Sequence, residues 1–293
     1  MSSDDTIAAI SSFIEGAPPG EVPTQPEMPP PLANVEGQLA DVINDIEALT
    51  PSDPAILEKA RPAFQKYNED QLTSVKLPSS SQNVIISQHN HLDNGRYFDI
   101  EKRSSWAFDH VTQKVTDVQS YSSESQHLNL ISSLYNSFTT HASEYYPTST
   151  ATVLPVDSDT SIILLLAANK YSPQNFWNGR LRCVYTYSPS NATLTGTIQV
   201  DVHYYEDGNV RLTTTKKVPE LRIGGSARAA GDVVREIAKV EREYHEDLNR
   251  GFADLNEGGF KRLRRQLPVT RQKVEWEKVG SYRAGREIGG NRR

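Results

Sequence analysis

An α+β fold is what this sequence predicts, and three patterns carry the prediction. Isoleucines and leucines recur every three or four residues before residue 70, and such spacing returns over residues 128–145. Alternation runs through Ile198, Val200, Val202 and Tyr204 on one side and Thr197, Gln199, Asp201 and His203 on the other. That is the period of an antiparallel strand with one polar face, either solvated or covered by a polar helix. A stripe of Val233, Ile237, Val240, Tyr244 and Leu248 then marks one long amphipathic helix. At 293 residues the chain can bury its core without disulfides or metals.

The first region, residues 1–77, reads as helical. Ile7, Ile10 and Ile14 share a face, as do Leu39, Val42, Ile43, Ile46 and Leu49 up to Pro51. Between them, Pro18 to Pro31 holds 7 prolines in 14 residues, an insert of about 18–33 that is extended or looped. A third helix is expected from Ala55 to about Asn68, burying Ile56, Leu57, Ala60 and Phe64.

A middle β region, 78–127, follows, with strands at Val84–Gln88 and Trp106–Val111 and a Ser-rich loop around Ser120–Gln126. Residues 128–225 open with a helix from Leu128 to about Tyr145, on Leu130, Ile131, Leu134, Tyr135 and Phe138. An antiparallel meander over 161–169, 179–188 and 193–218 comes next, with Asp207-Gly208-Asn209 as a hairpin turn. The region 226–259 holds the long helix, Ser226 to about Phe252, roughly 40 Å at 1.5 Å per residue.

The last region, 260–293, reverses the charge of the chain. It carries 11 Lys/Arg against 3 Glu, about +8, while the rest of the chain stands near −14 and the whole at −6. Leu263 and Leu267 fall at helical spacing, with Lys261 and Arg265 roughly opposite. Pro268 removes a backbone donor, Thr270 can cap a restart, and Val274, Trp276 and Val279 follow among Arg271, Lys273 and Lys278. Two short amphipathic helical pieces with a bend are expected. A Trp among paired basic residues is the composition of an interaction hot spot, and the charge suits an anionic surface. The overall negative charge disfavours general nucleic-acid binding.

Little in the chain suits catalysis. Gly224, Gly225 and Gly231 lie between strand and helix but lack the spacing and the Lys-Ser/Thr ending of a phosphate loop. His89, His91 and Asp93 alternate in a turn-rich polar segment with no further obvious ligand, so no metal is expected. Asp201 and His203 share a strand face as polar alternation requires, and Cys183, the single cysteine, has no activating neighbour in sequence. No enzyme and no cofactor is predicted. One cysteine suits a reducing cytosol, and the amino terminus has neither the basic start nor the apolar core of a secretion signal.

Five long strings give the chain a resemblance: FIEGAPPGE (Phe13–Glu21), FQKYNEDQLTSVKL (Phe64–Leu77), NFWNGR (Asn175–Arg180), IQVDVHYYEDGNVRL (Ile198–Leu212) and FKRLRRQLPVTRQKVEWEKVGSY (Phe260–Tyr282). They resemble the α subunits of the heterodimeric F-actin capping proteins (CapZ) over almost the full length. The resemblance implies a helical stalk, a middle β region, a central antiparallel sheet shared with a β subunit and covered by a long helix, and an amphipathic carboxy-terminal tentacle. It also implies calcium-independent binding to actin filament barbed ends, in the cytoplasm and its cortical actin patches.

In that family basic residues of the tail bear on actin, which by position implies Lys261, Arg265 and Arg271, with Trp276 in the amphipathic tip. Arg264, Lys273 and Lys278 add field, and Leu263, Leu267, Val274 and Val279 form the apolar face. The implied partners are a β subunit, the barbed end, acidic phosphoinositides and capping-protein regulators. The alternative reading is a phosphoinositide-binding protein whose basic tail reads anionic surfaces.

Overall fold

A computed structural model of the chain describes residues 3–18, 37–50, 53, 55–78, 80, 83–92, 94–205, 210–224 and 229–254. They fall in two compact units, 1–240 and 241–293. The Pro-rich insert past residue 18, the turn 207–209 and everything from 255 onward lie outside the described residues.

In the first unit, α1 (Ser3–Glu15) and α2 (Gly37–Leu49) form where the isoleucine periodicity places them. The expected third helix is two, α3 (Ile56–Lys59) and α4 (Arg61–Asp70), broken at Ala60. Pro62 explains the break: it lacks an amide hydrogen and is tolerated only in a first turn, so the helix restarts just before it. Ile10, Ile14, Leu39, Ile43, Phe64 and Tyr67 bury their side chains together in one apolar cluster. Each is shielded at the three-and-four spacing that formed its helix.

Two small sheets follow. Strands β1 (Ser74–Lys76) and β2 (Asn83–Ile85) pair antiparallel, as do β3 (Arg96–Asp99), β4 (Ser104–Asp109) and β5 (Lys114–Ser120). The expected strand to Gln88 therefore ends early, and Gln88–Asn90 is a turn of 3₁₀ helix started by the Ser87 side chain, which accepts the His89 amide. Trp106 and Tyr97 face one another across β3 and β4, both fully buried with Val84, Ile86 and Phe108.

One buried amide ties these β strands to the helices. Asn68 of α4 donates from Nδ2 to the Phe64 and His110 carbonyls at 2.8 and 2.9 Å, and its Oδ1 accepts from Gln113 Nε2 at 2.6 Å and Thr73 Oγ1 at 3.1 Å. Its orientation is thereby fixed. The same Nδ2 faces His110 Nδ1 at 3.5 Å, while His110 Nε2 lies 3.2 Å from the Tyr97 hydroxyl, which donates to Glu69 at 2.7 Å. The neutral ring with a proton on Nε2 fits this chain of donors; a proton on Nδ1 would meet the amide nitrogen head on. Burial, outweighing the pull of Glu69, holds His110 down to about 4.

After α5 (Leu128–Tyr145) comes the central sheet, in the spatial order β10 (Val210–Arg222), β9 (Thr193–Tyr204), β8 (Trp177–Ser188), β7 (Ser161–Ser172), β6 (Ser149–Val156), antiparallel throughout. Strand β6 escapes the period-two reading because its burial is nearly continuous, and its Pro155 is accommodated on an edge strand. One face presents Ile162, Leu164, Leu166, Cys183, Tyr185, Leu194 and Ile198, all fully buried, and α5 lays Phe138 edge-on against Tyr185, ring centroids 6.3 Å apart. The other face packs Leu154, Ile163, Leu165 and Ala167 against Leu72, just after α4, and against Ile85 and Phe98 of the smaller sheets.

The polar alternation of β9 is real, and of the two environments it allows the structure shows the covered one. Asp201 and His203 are buried, whereas Val200 and Val202 are half-buried and Tyr204 is exposed. The last element, α6 (Ala229–Asp254), starts in the first unit, where Val233, Val234 and Ile237 are buried; its second-unit part, 241–254, buries Tyr244, and Val240 and Leu248 are half-covered.

Two measurements check this account. Because His110 is depressed below its unfolded value near 6.5, its neutral form favours the fold above that pH, and stability drains as pH falls toward 4. Urea unfolding at pH 7 and pH 4.5 should show a loss on the order of 2–3 kcal/mol that His110→Gln lacks; equal losses in both proteins would remove His110 from the explanation. Gly196 faces Tyr185, and a Cβ there would lie 2.6 Å from that ring and 2.7 Å from the Val184 carbonyl oxygen. Gly196→Ala should cost about 1–3 kcal/mol in a thermal melt, through overpacking against backbone that cannot retreat.

Candidate functional site

The residues that the sequence marks for binding, Lys261, Arg264, Arg265, Arg271, Lys273, Trp276 and Lys278, lie outside the described residues, as do Leu263, Leu267, Val274 and Val279. Within the described residues two features of the central sheet stand out, an unpaired edge and a group of three arginines, two of them buried.

The edge is β10. It pairs with β9 on one side, and no described strand lies on the other. From Val210 to Val218 the ladder with β9 is unbroken; between Val218 and Leu221 the register shifts, at Pro219. Proline and a bulge are devices that blunt an edge, so only the first part of β10 offers an undisturbed row of backbone donors and acceptors. That part is rich in β-branched residues, Thr213 to Thr215, and starts at Val210, 63% exposed. Tyr204, which pairs with Val210, is exposed too, and at the same end of the sheet, on the β8 side of β9, exposed Phe176 meets Tyr205 edge-on at 6.2 Å. Exposed aromatic and apolar groups next to an open edge are what a protein contact leaves when its partner is removed.

The arginines come from alternate positions of β8 and from the start of β10, and registration places Arg180, Arg182, Asp201, His203 and Arg211 on one face. Arg211 grips the Asp201 carboxylate with Nε at 2.9 Å and Nη2 at 2.6 Å, and Thr213 adds its hydroxyl at 3.3 Å. The third arm, Nη1, donates to the Gly16 carbonyl at 2.5 Å. Arg180, 2% exposed, donates to the Tyr67 hydroxyl at 3.0 Å, to Gln71 Oε1 at 2.9 Å and to the Ala17 carbonyl at 3.3 Å. Arg182 donates to the Gln71 carbonyl, to Ala168 O at 2.9 Å and to Asn169 Oδ1 at 2.8 Å. Helices α1 and α4 thus point their carboxy-terminal ends at guanidinium groups, and the negative ends of two helix dipoles join Asp201 in balancing buried positive charge.

This group was visible only in part from sequence. Arg180 and Arg182 alternate inside a largely apolar strand, a signal that charge is buried on one face, but their partners Ala17, Tyr67 and Gln71 are more than a hundred residues away. Asp201, committed to Arg211 and Thr213, is buried by ion pairing rather than left for solvent or for proton transfer.

Other polar groups are accounted for by structure. His91 meets the Tyr97 ring at a tilt of 31°, centroids 5.0 Å apart, Asp93 lies outside the described residues, and among the described residues no three His, Cys, Asp or Glu are placed to hold a metal. Cys183 is fully buried, Gly225 lies outside the described residues, and no described helix is long and apolar enough to cross a membrane.

The chain matches the family model for the F-actin capping protein alpha subunit over residues 33–287. It is 50% identical over 281 residues to the F-actin-capping protein subunit alpha of Neurospora crassa, covering 96% of each chain. It is likewise 50% identical over 288 residues, 98% of each chain, to the protein of that name from Aspergillus oryzae. The homodimeric actin capping protein alpha subunit from Plasmodium berghei shares the fold, with a TM-score of 0.63 at 20% identity, over 80% of this chain and 93% of that one. On these grounds, and with the helices and antiparallel sheets described above, the chain belongs to the F-actin capping protein alpha subunit family.

Proposed function

We propose that this chain pairs with a β subunit, binds the barbed, fast-growing end of actin filaments without calcium, and there blocks subunit addition and loss. The observation that carries the reading is the extent of the family match, which takes in the whole segment from Lys261 to Lys278. Membership of this family makes the chain an actin-binding protein and not an enzyme. In this reading residues 1–77 form the stalk, 78–127 the middle β region, 128–225 the helix and central meander, 226–259 the long helix over the shared sheet, and 260–293 the tentacle.

The β subunit adds its strand at the β10 edge. In support, no described strand pairs with β10 on its outer side over Val210–Val218, and Val210 and its partner Tyr204 are exposed. The tentacle meets actin in two ways: Lys261, Arg265 and Arg271 attract and orient the dimer, and Trp276 with the apolar face of Leu263, Leu267, Val274 and Val279 holds it. The dimer works in the cytoplasm, at cortical actin patches, and acidic phosphoinositides and stalk regulators act on it by competing for the same basic surface or by bending the stalk.

The test uses the co-expressed heterodimer. Truncation after Gly259 should leave assembly and melting temperature nearly unchanged and abolish most retardation of barbed-end elongation; a melt many degrees lower would place the tail in the fold instead. In single-filament kinetics at two ionic strengths, reversal of Lys261, Arg265 and Arg271 to Glu should slow association and flatten its salt dependence. Trp276→Ala should chiefly speed dissociation. A dimer that binds phosphoinositide vesicles through this tail yet never retards elongation would favour the anionic-surface reading.

A further inference from the structure

We infer that Arg211 is a positioning residue that couples the docking of α1 to the occupancy of the β10 edge, so that the stalk and the subunit contact are thermodynamically linked. The inference rests on the reading of β10 as the partner edge. Helix α1 is fastened to the sheet by two main-chain carbonyls, those of Gly16 and Ala17, taken by Arg211 and Arg180. The two arginines sit very differently. Arg180 belongs to β8, flanked by strands on both sides, and is almost wholly buried. Arg211 belongs to the edge strand, with its side chain 33% exposed, while its carboxylate partner Asp201 is only 2% exposed.

Arg211 therefore joins three things directly: the edge strand, the buried carboxylate of the next strand, and the end of a helix 195 residues earlier in the chain. A strand added at β10 holds the backbone of Arg211 from its free side and places its own side chains beside it on the same face. Water withdraws from the guanidinium, and its hydrogen bonds to Asp201 and to the negative end of α1 strengthen in the lower local dielectric. The effect runs both ways by linkage: whatever draws α1 off the sheet strips one arm of Arg211 of its partner and loosens the edge. A ligand acting on the amino-terminal helix thereby gains a route to the subunit contact without touching it.

The experiment uses the heterodimer, with wild-type chain, Arg211→Gln, Ile14→Ala and the double variant. Ile14 is fully buried in the helical cluster, so its truncation weakens the docking of α1 without approaching β10. Hydrogen exchange reads α1 and β10 separately, and subunit exchange with labelled β chain reads the contact. Expected are β10 amides protected in the wild-type dimer, α1 amides losing protection about fivefold or more in Arg211→Gln, and subunit exchange accelerated by Ile14→Ala on the wild-type background but not further on the Arg211→Gln background. Should Arg211→Gln fail to assemble, Arg211→Lys, which keeps the charge and loses the fork, is read by the same criteria. Unchanged α1 protection with β10 still protected, or additive effects on subunit exchange, overturns the coupling alone. Unprotected β10 amides in the wild-type dimer overturn the edge reading and the coupling with it.

Discussion

Buried guanidinium groups set the terms on which the first unit holds together. Arg180 and Arg182 cannot leave water without partners, and the partners they find are helix ends: Ala17 and Gln71 carbonyls, the Gln71 amide oxygen and the Tyr67 hydroxyl. The helical cluster and the central sheet are therefore joined through polar groups of fixed geometry as well as through apolar contact. Apolar surfaces slide at small cost, whereas a donor fork aimed at two carbonyls admits one arrangement. Asn68 performs the same office between α4 and the strands around His110, with both ends of its amide spoken for. Removing one partner from either network strands a buried donor, which is why such groups tend to fix orientation more than they add stability.

Much of this architecture was legible in the sequence, and the legible parts share a cause. Helices α1, α2, α5 and α6 each bury one face, so their periodicity writes itself into the order of apolar residues, while β9 alternates apolar with polar residues and β7, buried on both faces, reads as one unbroken apolar run. Strands β1, β3, β5 and β6 stayed hidden. They are short, or polar on both faces as in β5, or continuously buried as in β6, and none of these conditions leaves a period-two trace. The split at Ala60 was written in Pro62 and was overridden by a periodicity that runs through it. The candidate site divides in the same way. A tail whose charge opposes that of the chain is visible at once in composition, but the burial of Asp201 and His203 is not, because a strand face lined with polar residues looks alike whether water or arginine covers it.

Family membership and geometry inform different parts of the molecule. The relatives at 50% identity cover the tail and the insert along with the rest, whereas the structural likeness to the Plasmodium berghei protein, at 20% identity, speaks to the fold alone. What geometry adds is the location of the open and the crowded places: an edge with no described strand beside it, and a position, Gly196, where the sheet and the Tyr185 ring leave no room for a methyl group.

The interruption at Pro219 bears on what this sheet can and cannot become. An edge that is open along its whole length is a template, and a second edge strand laid on it is a template again, which is how sheets run on into fibrils. Here the opening is nine residues long by the count of its unbroken ladder and is closed off by a register shift and, at Pro219, a missing donor. Such a seat accepts a strand of limited length at one offset, since sliding it toward Arg222 would set its carbonyls against a proline. Selectivity against runaway growth is thus written into the backbone of the edge itself, independently of which side chains the incoming strand carries.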